Sequence, residues 1–293
     1  MIDFSLQEAF MTYSPTVRRR RLSAALRRAR EEAGLTADAA AKLLRWPASK
    51  VTRIERNEWR RPTVSDVTDL LDIYGVTDEV VRLAMTTLAR QARERGWWEG
   101  EMKAELGGSL VEFETEASRI RTFEALLVPG LLQTADYARA IFKGGMVLDE
   151  VMIERRVQAR LARQRILDRD QPPVFWAVID EAALAKYVGG AATMREQLHH
   201  LIEMAARPNI GIQVLPNVVG AHAAMTGSFA ILAYATPDDS ELVYIETGAN
   251  GDLYIESPEE IERYTLKYDH VRASALSVDA SVSYLSDLVE QLK

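Results

Sequence analysis

The sequence predicts two domains of different class: an all-α module of five short helices, then an α+β domain with a mostly antiparallel sheet. Three observations carry this expectation. Between residues 15 and 95, apolar residues recur at helical spacing in runs opened by Thr, Ser or Pro and closed by Gly. Beyond residue 170, short β-branched and aromatic runs alternate with turn residues. The charge is also divided, with 14 Lys and Arg against 5 Asp and Glu in residues 15–61, although the whole chain of 293 residues carries a net −7. The rest of the chain therefore holds about 16 surplus negative charges, as expected when one module meets phosphate and the other does not. The expected divisions are a tail at 1–14, a helical domain at 15–76, a connecting helix and junction at 77–100, and the α+β domain at 101–293.

In the helical part, Val17, Leu22, Ala25, Leu26, Ala29 and Ala33 form one stripe over residues 16–33, and Gly34 stops the helix. Thr36 caps a second helix through Leu44, with Asp38 in its first turn. Arg45 and Trp46 break the chain, and Pro47 suits the first turn of a third helix through Glu55. Thr63 or Ser65 opens a fourth through Tyr74, closed by Gly75, and Thr77 opens a fifth toward Arg95.

After Gly96-Trp97-Trp98 the spacing predicts helices near 114–125, 134–143 and 149–168, with Thr134 capping the second. VFWAVI (174–179) predicts a buried strand, 181–188 and 192–206 helices, and GIQVL (211–215), GSFAILAY (227–234), ELVYIET (241–247) and DLYIES (252–257) strands. Gly248-Ala249-Asn250-Gly251 is a hairpin signal between the last two strands. Pro258 begins a helix to about Ala275, and Ser277 caps a last one to Leu292.

With no cysteine, the chain has no disulfide framework, thiolate metal site or cysteine nucleophile. No stretch approaches the ~20 apolar residues of a membrane span, and MIDFSLQEAFMTYSP lacks the features of a secretory signal, so a cytoplasmic location is expected. His199 and His200 point to different helix faces, and His222 and His270 are far away in sequence, so no metal-ligand spacing appears and no cofactor is expected. There is no P-loop, dinucleotide fingerprint or nucleophile elbow. Asp180, Glu181, Glu246, Asp252 and Glu256 near strand ends are explained equally well as solvated ends and helix first turns.

Residues 34–58 set two short helices about a tight turn, the helix-turn-helix arrangement whose second helix enters the major groove. Val51 and Ile54 face the core, while Ser49, Thr52, Arg53 and Arg56 share the outer face. Ser49, Thr52 and Arg53 can reach base edges. Arg18, Arg19, Thr36, Lys50, Arg56, Asn57, Arg60 and Arg61 are candidates for phosphate. A homodimer is expected on double-stranded DNA, because one such module buries only ~600–1,000 Å².

SKVTRIE (49–55) and RRPTVSDV (60–67) give residues 15–75 a resemblance to the Xre/lambda-repressor-like regulators. Members of that family usually carry glutamine where this chain has Ala37 and Ala48, glycine at Arg45 and a serine cap at Pro47. The resemblance implies base readout by fewer residues, or a lower affinity. EASRIRTFEALLVPGLLQTADYARAIF (116–142), ERRVQARLARQ (154–164), WAVIDEAAL (176–184) and GDLYIESPEEIERY (251–264) make the remainder similar to the companion domain of actinobacterial WhiJ-like, antitoxin-like regulators. That resemblance implies a neighbouring small partner protein and regulation of development or antibiotic production.

Outside the motif, GAHAAMTGSF (220–229) predicts a loop able to line a pocket, with Asn217, His222 and Met225 as candidate lining. Ile153, Val157, Leu161 and Ile166 mark a helix seam or a dimer face. Together these features predict a non-enzymatic transcription regulator whose second domain receives a small protein partner or a small-molecule effector, the protein being preferred. An antitoxin-like protein that sequesters its partner is the alternative, and an unrecognised active site in the second domain is a further one.

Overall fold

A computed structural model of the chain describes residues 14–59, 61–94, 96, 105, 110–147, 149–235, 241–247 and 252–292. The tail at 1–13, Arg60, Trp97, Trp98 and the hairpin link at 248–251 lie outside the described residues. The chain divides into two compact units, residues 1–99 and 100–293.

Unit 1 consists, among the described residues, of α1 (Pro15–Glu32), α2 (Ala37–Leu43), α3 (Ala48–Glu55), α4 (Val64–Ile73) and α5 (Glu79–Gln91). Side-chain oxygens of Ser14, Thr36, Thr63 and Asp78 accept hydrogen bonds from first-turn amides of α1, α2, α4 and α5. The cap of α5 is Asp78 rather than the expected Thr77, and its carboxylate accepts from both Val80 and Val81. Helices α1 to α4 end alike. The residue after each cap takes a left-handed conformation, and the next amide reaches back to the last full turn, as in Trp46 N–H to the Ala41 carbonyl at 2.9 Å. Glycine fills this position at Gly34 (φ 67°) and Gly75 (φ 70°), but Arg45 (φ 54°) and Asn57 (φ 58°) hold it after α2 and α3. Leu22, Leu26, Val51, Ile54, Leu70 and Leu71 form the centre of the buried core.

Unit 2 opens with α6 (Leu110–Glu116), which runs directly into β1 (Ala117–Glu124). A 3-10 turn (Gly130–Leu132), α7 (Ala135–Gly144) and α8 (Glu150–Gln164) lead to β2 (Val174–Asp180). Next come α9 (Glu181–Leu184), α10 (Ala191–Ala205), β3 (Ile210–Leu215), β4 (Phe229–Tyr234), β5 (Leu242–Ile245) and β6 (Leu253–Ile255), then α11 (Pro258–Ser274) and α12 (Val278–Gln291). The six strands form one mixed sheet in the order β3-β2-β1-β4-β5-β6. Its β1–β4, β4–β5 and β5–β6 pairs are antiparallel, and its β1–β2 and β2–β3 pairs are parallel.

The helix expected over 114–125 is therefore corrected. Only its beginning is helical, and 117–124 is the strand at the centre of the sheet, paired on both sides. Backbone pairing on two edges outweighs the helical spacing of Ala117, Ile120 and Phe123. The helix expected over 181–188 is a single turn, 181–184, capped by Asp180. One face of the sheet packs Phe123, Val178, Ile231 and Val243 against Tyr268 and Val271 of α11. Gly211 in β3 accommodates Trp176 on its neighbour: a β-carbon there would stand 2.6 Å from the indole.

Candidate functional site

The outer surface of α3 presents Ser49 and Arg53 exposed and Thr52 half-buried, while Val51 and Ile54 on the opposite side are almost fully buried. Arg56 and Arg61 are exposed, and neither Arg53 nor Arg56 forms an ion pair with a described residue. Other candidates are already engaged. Lys50 donates to Asp66 at 2.7 Å and lies 3.6 Å from the centroid of the Trp46 ring. Arg19 donates to the Asn57 side-chain oxygen at 2.9 Å, and Thr36 is occupied as the cap of α2. Arg18 also has a partner.

One pair escaped the sequence argument. Arg30 on α1 makes a bidentate contact with Glu55, the last residue of α3, at 2.7 and 2.9 Å, and a third bond to the Leu35 carbonyl at 2.6 Å. The Arg30 and Glu55 side chains are only 12% and 7% exposed. The Glu55 carboxylate raises the Arg30 pKa above its usual value. This contact fixes α3 against α1, so the outward face of α3 is held by a rigid element.

Unit 2 contains a cavity of about 510 Å³ between the other face of the sheet and α6–α8. Asn217, His222 and Met225 do not line it. Met225 is 67% exposed, and the Asn217 backbone N–H donates to Glu181. The His222 ring is only 8% exposed, packs edge-on to Phe123 and has Nε2 3.5 Å from an Asp180 oxygen.

The cavity takes Ile120, Thr122 and Glu124 from β1, Tyr244 from β5, and Arg156, Arg160 and Arg163 from one face of α8. Arg163 forms two bonds, 2.5 and 2.7 Å, with the nearly buried Glu114 of α6. Arg160 lies 4.8 Å from the Phe142 ring centroid and donates to the Gln133 side-chain oxygen. Gln133 is itself oriented because its amide nitrogen donates to the Val128 carbonyl at 2.8 Å.

Burial, with Arg163 as a neighbouring cation, pushes the Arg160 pKa down to about 10. Burial also pushes the Glu124 carboxyl up to about 7, and Glu246 adds to the shift against hydrogen bonds from Thr122 and Ser228. Sequence spacing held one usable signal for this site. The arginines at 156, 160 and 163 sit beside the apolar stripe Ile153, Val157 and Leu161, on the same helix as the expected seam.

A family model described as "Domain of unknown function (DUF5753)" matches residues 108–287, more than half of the chain. The chain belongs to the DUF5753 family. In this DUF5753 protein a second model, described as a helix-turn-helix domain, matches residues 21–84, which contain α2, the turn at Arg45 and α3. No curated protein and no solved structure matches the chain. The helix-turn-helix makes this DUF5753 protein a DNA-binding regulator. Among the described residues no helix is long and apolar enough to cross a membrane, and no three metal-binding side chains are grouped.

Proposed function

We propose that the protein is a sequence-specific transcription regulator of the Xre type, non-enzymatic, whose second unit is a WhiJ-like receiver domain. The observation that carries this reading is the outward face of α3, with Ser49, Thr52 and Arg53 over a buried core and Arg53 without an ion-pair partner among the described residues. These three residues read base edges. Arg56 and Arg61 hold phosphate; Lys50, Arg19 and Asn57 come second because each has an internal partner. Within unit 2, the cavity beside α8 is favoured as the receiving site over the loop at Asn217, His222 and Met225. It is a concave site, partly open to water and lined by charged side chains, which also favours a small-molecule effector over the protein partner preferred from sequence.

The test begins by selecting a preferred duplex from a random pool with the full chain. Arg53→Ala should then weaken that duplex by about 1–3 kcal/mol and relax preference at one base pair, while leaving binding to random DNA unchanged. An equal loss on both duplexes assigns Arg53 to phosphate and removes it from readout.

A homodimer on the operator completes the reading, since two half-sites one helical turn apart supply contacts a single module lacks. Mass measurement of the complex should give two chains per duplex. One chain per duplex, with a single half-site protected, contradicts the dimer.

A further inference from the structure

The cations that line the unit 2 cavity, Arg156, Arg160 and Arg163, all come from α8; of its carboxylates, Glu105 and Glu114 lie near α8, whereas Glu124 ends β1 and Glu246 follows β5 on the sheet side. Of the three arginines, Arg163 is neutralised by Glu114. Arg160 has a neutral amide, Gln133, as its hydrogen-bond acceptor among the described residues, although a guanidinium carries five N–H donors. Glu124 accepts from the hydroxyls of Thr122 and Ser228, and no described cation lies within ion-pair distance of it. A guanidinium and a carboxyl group therefore face one cavity without meeting, each partly stripped of water and neither held in an ion pair by a described residue. Burying charge in that way is unfavourable unless a partner completes it.

A simple anion reaching Arg160 would meet Glu124, Glu246 and Asp252 across the cavity, and a simple cation would meet Arg156 and Arg160. Only a molecule carrying both signs complements both walls. Its body would lie against Leu127, Ile141, Phe142 and Val147, and the 510 Å³ volume falls within the usual range for small organic ligands. We propose that this cavity binds a small amphoteric molecule of dipeptide size, its anionic group held by Arg160 and its basic nitrogen by Glu124 and Glu246. The proposal rests on reading unit 2 as the receiver and names the chemistry it receives.

The test uses the full chain and three matched probes: the dipeptide Phe-Phe, its N-acetyl form and its C-terminal amide. Calorimetric titration should show Phe-Phe binding about tenfold or more tightly than either capped form, because each cap removes one charged contact. Arg160→Gln should abolish the advantage over the amide, and Glu124→Gln the advantage over the acetyl form. These differences are internal to each folded protein. No binding of Phe-Phe, equal binding of all three probes, or an Arg160→Gln chain that keeps the full pattern would each overturn the proposal. Titrating the selected duplex with and without Phe-Phe separates the two readings. An unchanged duplex affinity beside the expected probe pattern leaves the ligand chemistry standing and removes the receiver role.

Discussion

Replacing Arg30 with alanine should lower the stability of unit 1 by about 3 kcal/mol, as expected when one partner of a largely buried ion pair is removed. The Glu55 carboxylate would be left 7% exposed with neither of its guanidinium bonds, and the Leu35 carbonyl would lose its 2.6 Å donor. Burial and the Glu55 charge already push the nearby Tyr74 hydroxyl upward, so the pocket has little capacity for an unpaired anion. The measurement is thermal or denaturant unfolding followed by a signal confined to unit 1, together with affinity for the selected duplex. Both should fall, because Glu55 is where α3 is fastened. Arg30→Met combined with Glu55→Leu should recover much of the stability by removing both charges. A loss below about 1 kcal/mol for Arg30→Ala would put the pair in the class of weak surface bridges.

The second large effect concerns Glu124. Its folded-state pKa near 7 lies above the ordinary carboxylate range, so between about pH 4.5 and 7 the folded protein keeps a proton that the unfolded chain gives up. This group's contribution to stability is complete below the lower value and is lost as pH rises through the upper one. Glu124→Gln removes the loss. The variant should match the parent near pH 4 and exceed it by roughly 1–3 kcal/mol at pH 8, a range reduced from the full linkage value because the group faces a cavity open to water. The difference between the two unfolding free energies, followed against pH, isolates this group from other carboxylates. Groups facing Glu124 from neighbouring elements are Thr122, Ser228, Glu246, Tyr137, Arg160 and the more distant Arg163, none of which is replaced in the variant. A flat difference across the range would mean that Glu124 is solvated.

The helical module was legible in sequence because local chemistry decides it. Thr36 and Thr63 cap where expected, and Gly34 and Gly75 end their helices with positive φ. Asp78 caps α5 although Thr77 is an equally good cap one residue earlier, a choice that residue type alone does not decide. Arg30 and Glu55 were legible as charges but not as a pair, since their contact spans 25 residues and two helices. The misreading of β1 and the missed cavity have one origin. A central strand should show apolar residues on both faces, yet Thr122 and Glu124 occupy the cavity side, leaving Ile120 and Phe123 at a spacing that imitates a helix. Local rules fail most often where side chains serve something other than packing. The loop at 220–229 has the glycines of a pocket-lining loop, but its His222 is occupied by Phe123 and Asp180.

The position of β1 also sets the order in which the two units can be completed during synthesis. The helix contacts of unit 1, including those of α1 with α5, close within residues 15–91, so that unit can fold as soon as α5 leaves the ribosome. Strand β1 must wait: its parallel neighbour β2 arrives only after α7 and α8, and the Ser118 side chain bonds the Ala233 carbonyl across 115 residues. Until β4 and β5 arrive, Thr122 and Glu124 have no wall opposite α8. A nascent chain thus passes through an interval in which its basic half is finished and its acidic half is not. Shortening that interval, by strengthening the turns between β2 and β5, should raise the yield of soluble chain without altering the finished protein.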